Sequence, residues 1–300
     1  MNWTSVLLVI VYGLVFLGAA SGLLWWSRRQ RGTRLPFSPD MKLVRMPGET
    51  LIEQNRKFWE EDALVALWAA GSVPPLVGSG FIIVASRLSG GAQLVVVTLA
   101  GVVFLVTFVL GVRWFVGKTR AAADRYLGYF GERIVAECLE PLKRAGWHVF
   151  HDVPGESSGA KFNLDHVAVG PQGVFAIETK TRRKGRARPG TEDHRVTFDG
   201  RKLIWPWGED THGLEQVERN ALWLTEALRQ DTGDRFHVTP ILTLPGWWID
   251  QKPGRDSRLA RVTNPKGLPK FLPSGGAVLT PAQISIIAAK LEARCRTVAY

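Results

Sequence analysis

The amino-acid sequence predicts an α/β domain behind three N-terminal transmembrane helices. Hydrophobic residues make up 46% of the 300-residue chain, and within residues 1–117 they are concentrated in three long runs. Residues 118–300 instead alternate between short strand-like runs and segments with helical periodicity. The order along this second part is helix, several strands, helix, strand and helix, which is typical of an α/β domain.

The three apolar runs comprise residues 5–26, 63–86 and 92–117. Each is long enough to cross a bilayer, which takes about 20 residues. Basic residues follow the first run instead of preceding it, so we expect a retained anchor and not a cleaved signal peptide. The second run contains Pro74-Pro75 and several glycines. Because prolines interrupt helices, a re-entrant loop is the alternative for this run.

The distribution of basic residues predicts the orientation in the membrane. By the positive-inside rule, the N-terminus lies outside, while the linker 27–62 and the domain 118–300 lie in the cytoplasm. We therefore expect an integral protein of a bacterial inner membrane, with the lipid bilayer as one partner. The residues that carry this prediction are Arg28, Arg29, Arg31 and Arg34 after the first run, and Arg113, Lys118 and Arg120 at the end of the third.

Charge and cysteine content restrict the function classes. The formal net charge is +11, which suits binding to nucleic acid or to anionic lipid. The only cysteines are Cys138 and Cys295, and neither lies in a CxxC pair. This argues against a zinc site and against a disulfide framework, and it agrees with a reducing compartment.

Within the domain, the periodicity predicts the elements in order. Apolar residues from Ile134 to Leu142 recur at helical spacing, and the helix ends at Gly146. A second helix is predicted at 214–229, and Thr280-Pro281 is typical of the start of a closing helix at 281–296. The predicted strands lie at 147–153, 162–169 and 173–180, in RVTF and KLIW around Asp199-Gly200, and in HVTPILTL after the second helix.

The stretch NLDHVAVGPQGVFAIETK at 163–180 predicts a hairpin with two opposed acids. A turn at 170–173 pairs residue 169 with 174, and therefore Asp165 with Glu178. Directly opposed residues of an antiparallel pair lie on the same face, and Lys180 lies two residues further along that face.

Two opposed carboxylates repel each other, so a positive group is expected between them. A hard cation satisfies this need more fully than Lys180 alone, and Mg²⁺ or Mn²⁺ prefers oxygen ligands. The sequence therefore predicts a metal site at Asp165 and Glu178. The alternative is a partly exposed ion-pair cluster with no metal. His166 falls on the opposite face, and we expect a hydrogen-bonded structural histidine there.

An Asp followed by Glu-x-Lys in this arrangement has the form of the PD-(D/E)xK nuclease core. Together with GERIVAECL at 131–139 and LEQVERNALWL at 214–224, the hairpin resembles the nuclease-related domain family, NERD. The resemblance covers roughly residues 125–230. The sequence departs from the family pattern by Leu164-Asp165 in place of Pro-Asp, and by THGLE before Gln216 where relatives often carry Asn-Pro.

The resemblance implies a restriction-endonuclease-like core, a mixed sheet flanked by helices, that acts on DNA in preference to RNA. It places Asp165, Glu178 and Lys180 in the catalytic positions. In phosphodiester hydrolysis, the two acids would hold Mg²⁺ and Lys180 would orient a water or stabilise developing charge. Glu132 would complete the metal shell or receive a proton, and Gln216 would position a phosphate or a water. A helix-start carboxylate and a solvated helix residue are the alternatives for these last two.

A basic run follows the proposed catalytic strand and predicts contacts with the phosphate backbone. A solvated loop, or a loop lying on anionic lipid headgroups, is the alternative. Trp205, Trp207, Trp247 and Trp248 could stack on unpaired bases, although packing in the core is favoured for them. The basic residues are Arg182, Arg183, Lys184, Arg186 and Arg188.

The function that these observations favour is a membrane-anchored, metal-dependent nuclease. Two alternatives belong to other classes. One is a membrane-tethered nucleic-acid-binding protein without catalysis, and the other is an assembly or sensor subunit whose domain contacts only protein.

Overall fold

A computed structural model describes residues 42–185, 188–252 and 258–298, together with the single residues 11, 18, 22 and 26. Side chains at 64, 66, 67, 69, 70 and 74 are not described. The chain divides into two compact units. The described part of the first lies in Lys57–Ala121, and the second comprises Lys42–Arg56 and the chain from Ala122 onward. We call the second unit the domain and its N-terminal segment, Lys42–Arg56, the strap.

The first unit is helical. A π-helical turn at Phe58–Asp62 leads into helix α2 (Ala63–Ala85), and helix α3 (Gly90–Arg144) begins in this unit and ends in the domain. Among the described residues, α3 alone is long and apolar enough to cross a membrane. Its apolar side chains are largely exposed, including Leu94 at 69% and Leu105 at 60%. This finding agrees with a span at 92–117.

The other two predicted spans are not confirmed. The span at 5–26 lies outside the described residues, apart from four single positions. The span at 63–86 coincides with α2, which continues as a helix through Pro74-Pro75 instead of forming a re-entrant loop. This helix has 23 residues, and side chains are not described at several of its positions before Gly71, so the structure leaves this span an expectation.

The domain is built on a five-stranded mixed sheet with the strand order β10-β8-β4-β3-β2. Strands β2, β3 and β4 form an antiparallel meander, and β8 and β10 continue the sheet in parallel with β4. The strands are β2 (His148–Ser157), β3 (Ala160–Gly170), β4 (Gly173–Thr179), β8 (Val238–Thr243) and β10 (Arg261–Thr263).

Helices cover both faces of this sheet. Consecutive residues of β3, such as Val167 and Ala168, point to opposite faces of the sheet, and each face has its own apolar cluster. Helices α4 (His212–Thr232) and α6 (Pro281–Cys295) pack on the Val167 face. The end of α3 and the short helix α5 (Leu268–Phe271) with the residues after it pack on the Ala168 face. The mixed α/β architecture predicted from the sequence is therefore present.

Two smaller sheets complete the domain. One has the strand order β7-β6-β5-β9 and packs through Phe198 and Leu203 against the start of α4. The other pairs β1 with β11, so the strap is joined to the C-terminal end of the domain. Helix α1 (Glu49–Lys57) follows β1 within the strap. The strands are β1 (Leu43–Val44), β5 (Arg195–Phe198), β6 (Leu203–Trp205), β7 (Gly208–Asp210), β9 (Trp248–Gln251) and β11 (Arg296–Val298).

Local signals set the helix ends of the domain. The Thr280 side chain accepts a hydrogen bond from the backbone N–H of Gln283, and the Gln283 side chain accepts one from the backbone N–H of Thr280. This capping box begins α6 where Thr280-Pro281 predicts it. Helix α4 ends at Gly233, whose φ of 83° is the left-handed conformation that glycine favours at a helix end.

The packing of α4 makes a testable prediction about stability. Leu224 is fully buried on the sheet side of α4, whereas Leu222 on the same helix is 67% exposed. We expect Leu224→Ala to lower the free energy of unfolding by about 2–5 kcal/mol, because it leaves a cavity. Leu222→Ala, the matched control, should change it by less than about 0.5 kcal/mol. Denaturant unfolding of the chain in detergent measures both, and equal effects would contradict this packing.

Candidate active site

The hairpin of β3 and β4 has the register that the sequence predicts. The ladder of paired residues ends at His166 and Ile177. One step beyond, the same register places Asp165 opposite Glu178. There the backbone N–H of Thr179 donates a hydrogen bond to Asp165 Oδ2 at 2.7 Å, in place of a backbone ladder bond. The two carboxylates therefore lie where the two strands begin to separate.

Neighbouring strands explain this separation. Beyond the hairpin ladder, β4 remains paired with β8, and the Lys180 N–H donates to the Thr243 carbonyl at 3.0 Å. On the other side, the ladder of β2 and β3 is interrupted at Asp152, which lies in register with Asp165. Asp152 has a φ of 49°, a left-handed conformation that is uncommon outside glycine. Asp152, Asp165 and Glu178 thus form one row across three strands.

Lys180 provides the cation that contacts Glu178 in this row. Its Nζ donates hydrogen bonds to Glu178 Oε1 at 2.7 Å and to Gln216 Oε1 at 2.8 Å. Asn220 Nδ2 donates to the other Glu178 oxygen at 3.2 Å. Glu178 is almost fully buried, whereas the Lys180 side chain is 28% exposed. The ammonium group is therefore held at the surface of a buried acidic site.

Helix α4 positions the two amides of the site. Gln216 and Asn220 are four residues apart and so lie on the same side of the helix. The helix approaches closely because its second residue is Gly213, where a Cβ would lie 3.2 Å from Lys180 Cγ. Asn220 is not among the site residues predicted from the sequence. Its only sequence signal is its position one helical turn after Gln216, between the apolar positions Val217 and Ala221.

Glu132 enters the site from α3. It is 6% exposed, and its Oε2 has no hydrogen-bond partner within the described structure. The preceding residue, Gly131, lies against Thr181 at the end of β4, where a Cβ on the glycine would come within 1.8 Å of Thr181 Oγ1. This close approach brings the carboxylate-bearing turn of α3 next to Lys180, which precedes Thr181.

Burial raises the pKa of all three carboxylates, and repulsion by neighbouring carboxylates adds to the shifts of Glu132 and Asp165. Burial, followed by the charges of Asp152 and Glu178, raises the pKa of Glu132 to about 8. Asp165 keeps some exposed surface, but protein surrounds its carboxylate. This burial, together with the charges of Glu178 and Glu132, raises its pKa well above the ordinary range. The pKa of Glu178 is also raised by burial, although Lys180 opposes the shift. At neutral pH the site favours extra positive charge or protons.

The carboxylate oxygens of Glu132, Asp165 and Glu178 are the type of ligand that a hard divalent cation prefers. Glu132 offers an oxygen without a hydrogen-bond partner, and the three carboxylates repel one another. Carboxylate oxygens of this kind are ligands for Mg²⁺ or Mn²⁺. However, no group of three His, Cys, Asp or Glu side chains in the described part of the chain is arranged as a metal site. The Lys180 ammonium hydrogen-bonds Glu178 in this arrangement.

The predicted basic patch is only partly available. Arg182 forms an ion pair with Asp210 and lies over the Trp205 ring at 5.0 Å from its centroid. Arg183 forms an ion pair with Asp124 at 3.3 Å. Two of the predicted contacts are therefore already engaged within the domain. Of the others, Lys184 and Arg188 are exposed, and Arg186 lies outside the described residues.

Three of the four tryptophans pack against one another, as favoured from the sequence, and Trp248 is the exception. Trp205 and Trp247 are buried and contact each other edge to face, with ring centroids 4.9 Å apart. Trp207 stacks on Trp205 at 5.7 Å. Trp248 is 62% exposed and has the Arg195 guanidinium 5.9 Å from its ring centroid. Of the four, Trp248 has the greatest exposed surface for a ligand.

His166 is a structural histidine. It is fully buried on the face opposite the carboxylates, and its Nδ1 lies 2.8 Å from Nδ1 of His151. Burial lowers the pKa of both imidazoles, to about 4 for His151 and well below the ordinary range for His166. The pair is therefore neutral at physiological pH, with one ring donating its proton to the other.

The raised pKa of Glu132 predicts a pH-dependent stability difference. The folded chain holds this proton up to about pH 8, whereas an unfolded glutamate loses it near 4.5. The wild type therefore loses stability as pH rises through this window, and Glu132→Gln does not lose that part. We compare the free energy of unfolding of Glu132→Gln with that of the wild type, both in EDTA. The difference in favour of the variant should increase by at least about 1.4 kcal/mol between about pH 5 and about pH 8.

Glu137→Gln is the matched control for this measurement. Glu137 lies on the same helix with a 74% exposed side chain, so its substitution makes the same chemical change outside the site. Denaturant unfolding at several pH values provides the data. A constant difference between Glu132→Gln and wild type would show that Glu132 titrates normally.

The contact between Gly131 and Thr181 predicts a specific rescue. Gly131→Ala would force the new methyl group against Thr181 Oγ1, and we expect a loss of about 1–3 kcal/mol in the free energy of unfolding. Thr181→Ala removes that oxygen and should restore most of the loss when the two are combined. Gly208→Ala, where the Cβ meets no atom within 4 Å, is the control. Additive effects of the first two substitutions would contradict the contact.

Comparison with known proteins gives one match. A family model described as the nuclease-related domain, NERD, matches residues 127–245. This range contains Glu132, Asp165, Glu178, Lys180 and Gln216, the five predicted site residues. No curated protein and no solved structure matches the chain significantly. Residues 127–245 are therefore similar to the nuclease-related domain.

Proposed function

We propose that the domain is a metal-dependent nuclease that hydrolyses phosphodiester bonds, with DNA favoured over RNA as the substrate. One observation carries the proposal: Asp165 and Glu178 lie together at the open end of the hairpin, with Lys180 donating to Glu178 at 2.7 Å. The similarity of residues 127–245 to the nuclease-related domain supports the same class of function.

The carboxylates of Asp165 and Glu178 would hold the cation, and Glu132 would complete the set. Bound there, Mg²⁺ or Mn²⁺ would polarise the scissile phosphate and lower the pKa of a bound water. The partnerless oxygen of Glu132 supports its role as an additional ligand or as a proton acceptor. Relief of the repulsion among the three acids would make cation binding favourable.

Lys180 would then exchange one partner for another. Its ammonium group forms an ion pair with Glu178. A cation held by that carboxylate would supply the neutralising charge, and Lys180 would hold the attacking water or stabilise charge on the phosphate. Gln216, which accepts from Lys180 at 2.8 Å, would guide the ammonium group or position the water. Asn220 would fix the orientation of Glu178.

Substrate contacts outside the site would come from exposed basic residues. Lys184 and Arg188 are exposed in the segment that follows β4 and suit phosphate contacts without sequence preference. Arg182 and Arg183 would first have to exchange their carboxylate partners for phosphates. Because carboxylate and phosphate are equivalent partners for arginine, this exchange is chemically reasonable.

The apolar helix α3 supports a location at a membrane. With the orientation that the basic residues predict, the domain would lie at the cytoplasmic face of a bacterial inner membrane. A tethered nuclease acts only on substrate that comes near the bilayer, and incoming foreign DNA is one such substrate.

A second candidate function is nucleic-acid binding without catalysis. The observation that favours it is the lack of a metal-type arrangement of three acids or histidines in the part of the chain that the structure describes. A site that Lys180 neutralises permanently would keep the basic surface but lose hydrolysis.

The proposal predicts the effect of two substitutions on cleavage. With Mg²⁺, the full-length chain in detergent should cleave DNA, and EDTA should abolish the activity. Asp165→Asn and Lys180→Met should each reduce the rate about a hundredfold or more, because each removes a group that acts on the transition state. A plasmid and a linear duplex assayed side by side measure the rate and distinguish endonuclease from exonuclease action.

Matched controls are available on the same domain. Asp234→Asn and Lys161→Met alter exposed residues with the same changes in charge, and both should retain full activity. Retained cleavage in Asp165→Asn or Lys180→Met would refute the assignment of the site. Salt-sensitive DNA binding without cleavage by the wild type would support the second candidate.

A further inference from the structure

The strap is attached to the domain through Asp152, next to the candidate active site. Asp152 Oδ2 accepts hydrogen bonds from the backbone N–H of Thr50 at 3.0 Å and from the Thr50 hydroxyl at 2.7 Å. Arg45 forms an ion pair with the same oxygen, and Asn163 Nδ2 donates to Oδ1 at 2.9 Å. Asp152 is 4% exposed, so these contacts satisfy a buried carboxylate held in an uncommon backbone conformation.

The same strap also contacts the turn of α3 that carries Glu132. Gly48 has a φ of 69°, and a Cβ there would lie 2.7 Å from the ring of Tyr129. One turn along, Leu51 lies 3.1 Å from the position that a Cβ of Gly128 would occupy. The backbone of Gly48 also acts on the Glu132 carboxylate and lowers its pKa, against the larger effect of burial. The Glu132 turn is therefore enclosed by the strap on one side and by the end of β4 on the other.

We propose, on the basis of the nuclease function proposed above, that the strap is a working part of the active site. Arg45, Gly48 and Asp152 act as positioning residues that hold Glu132 beside Asp165 and Glu178. Strand pairing of β1 with β11 and the contacts of Thr50 fix the strap, and the strap in turn fixes the carboxylate.

Electrostatics explains why Arg45 is needed. Asp152 is the side chain whose charge acts most strongly on Glu132. Arg45 neutralises Asp152 directly. Without the guanidinium, the buried Asp152 carboxylate would be uncompensated. It would repel the ionised Glu132 carboxylate and push it out of the position in which it could be a metal ligand. The loss should therefore depend on the charge of Asp152, which a purely structural contact would not require.

Arg45→Gln in the full-length chain tests this inference. We expect kcat for DNA cleavage to fall about 10–100-fold, the usual effect of removing a group that orients a metal ligand, with KM for DNA nearly unchanged. Mn²⁺ binding, followed by electron paramagnetic resonance, should weaken by about tenfold. Adding Asp152→Asn to Arg45→Gln removes the uncompensated charge and should recover part of both losses, although Asp152→Asn alone is harmful.

Controls separate positioning from folding. Arg56→Gln removes an equal charge from an exposed position of the strap and should leave kcat, KM and Mn²⁺ binding unchanged. Thr50→Val removes the hydroxyl, which donates to Asp152 and accepts from Arg45 and Asn163, but keeps the backbone N–H bond to Asp152, and it should give a smaller loss of kcat in a folded chain. Thermal unfolding of each variant verifies the fold.

Several outcomes would overturn the inference. If the wild type cleaves DNA and Arg45→Gln and Thr50→Val behave like Arg56→Gln, the strap has no role in the site, while the nuclease function stands. Additive losses in the double variant would assign Arg45 a structural role alone. A raised KM with unchanged kcat would make the strap a DNA contact. A wild type that neither cleaves DNA nor binds Mn²⁺ would refute the nuclease function together with this inference.

Discussion

Repulsion among three carboxylates that are enclosed by protein is the constraint on which the rest of the site depends. Glu132, Asp165 and Glu178 come from one helix and two strands, and the charge of Glu178 raises the pKa of both Glu132 and Asp165. Such a cluster costs folding free energy unless protons, a cation or an ammonium group compensates it. Lys180 supplies part of the compensation, and the remainder is what a divalent cation would provide. A costly arrangement of this kind is typical of a functional site.

The fold assembles this cluster at a place where backbone pairing is interrupted. The β3–β4 ladder ends just before Asp165 and Glu178, and the adjoining position of β2 is occupied by Asp152 in a left-handed conformation. Close approaches at Gly131 and Gly213 bring two helices to the same point. The strap adds a third element from the N-terminal side. A fragment that began at residue 118, the domain boundary expected from the sequence, would lack it.

Local features of the site could be predicted from the sequence, and long-range ones could not. The pairing of Asp165 with Glu178 follows from a short turn, because a hairpin register depends on nearby residues alone. Asn220 was missed because a single polar residue on a helix has no local signal of burial. The strap was missed because Thr50 and Asp152 are 102 residues apart, and nothing in either segment specifies the other. Arg182 and Arg183 were expected to be free, yet carboxylates distant in sequence pair with both.

Proton release on metal binding is the most direct measure of whether burial and repulsion keep the carboxylates of the site protonated. If repulsion and burial keep carboxylates protonated in the metal-free site, a cation that binds there must displace protons. Calorimetric titration of the full-length chain with Mn²⁺ near pH 7, in buffers of different ionisation enthalpy, counts them. We expect saturable binding with release of at least about one proton per site, because the pKa of Glu132 is raised to about 8 and that of Asp165 is raised well above its ordinary range. Binding without proton release, or no binding at this site, would contradict it.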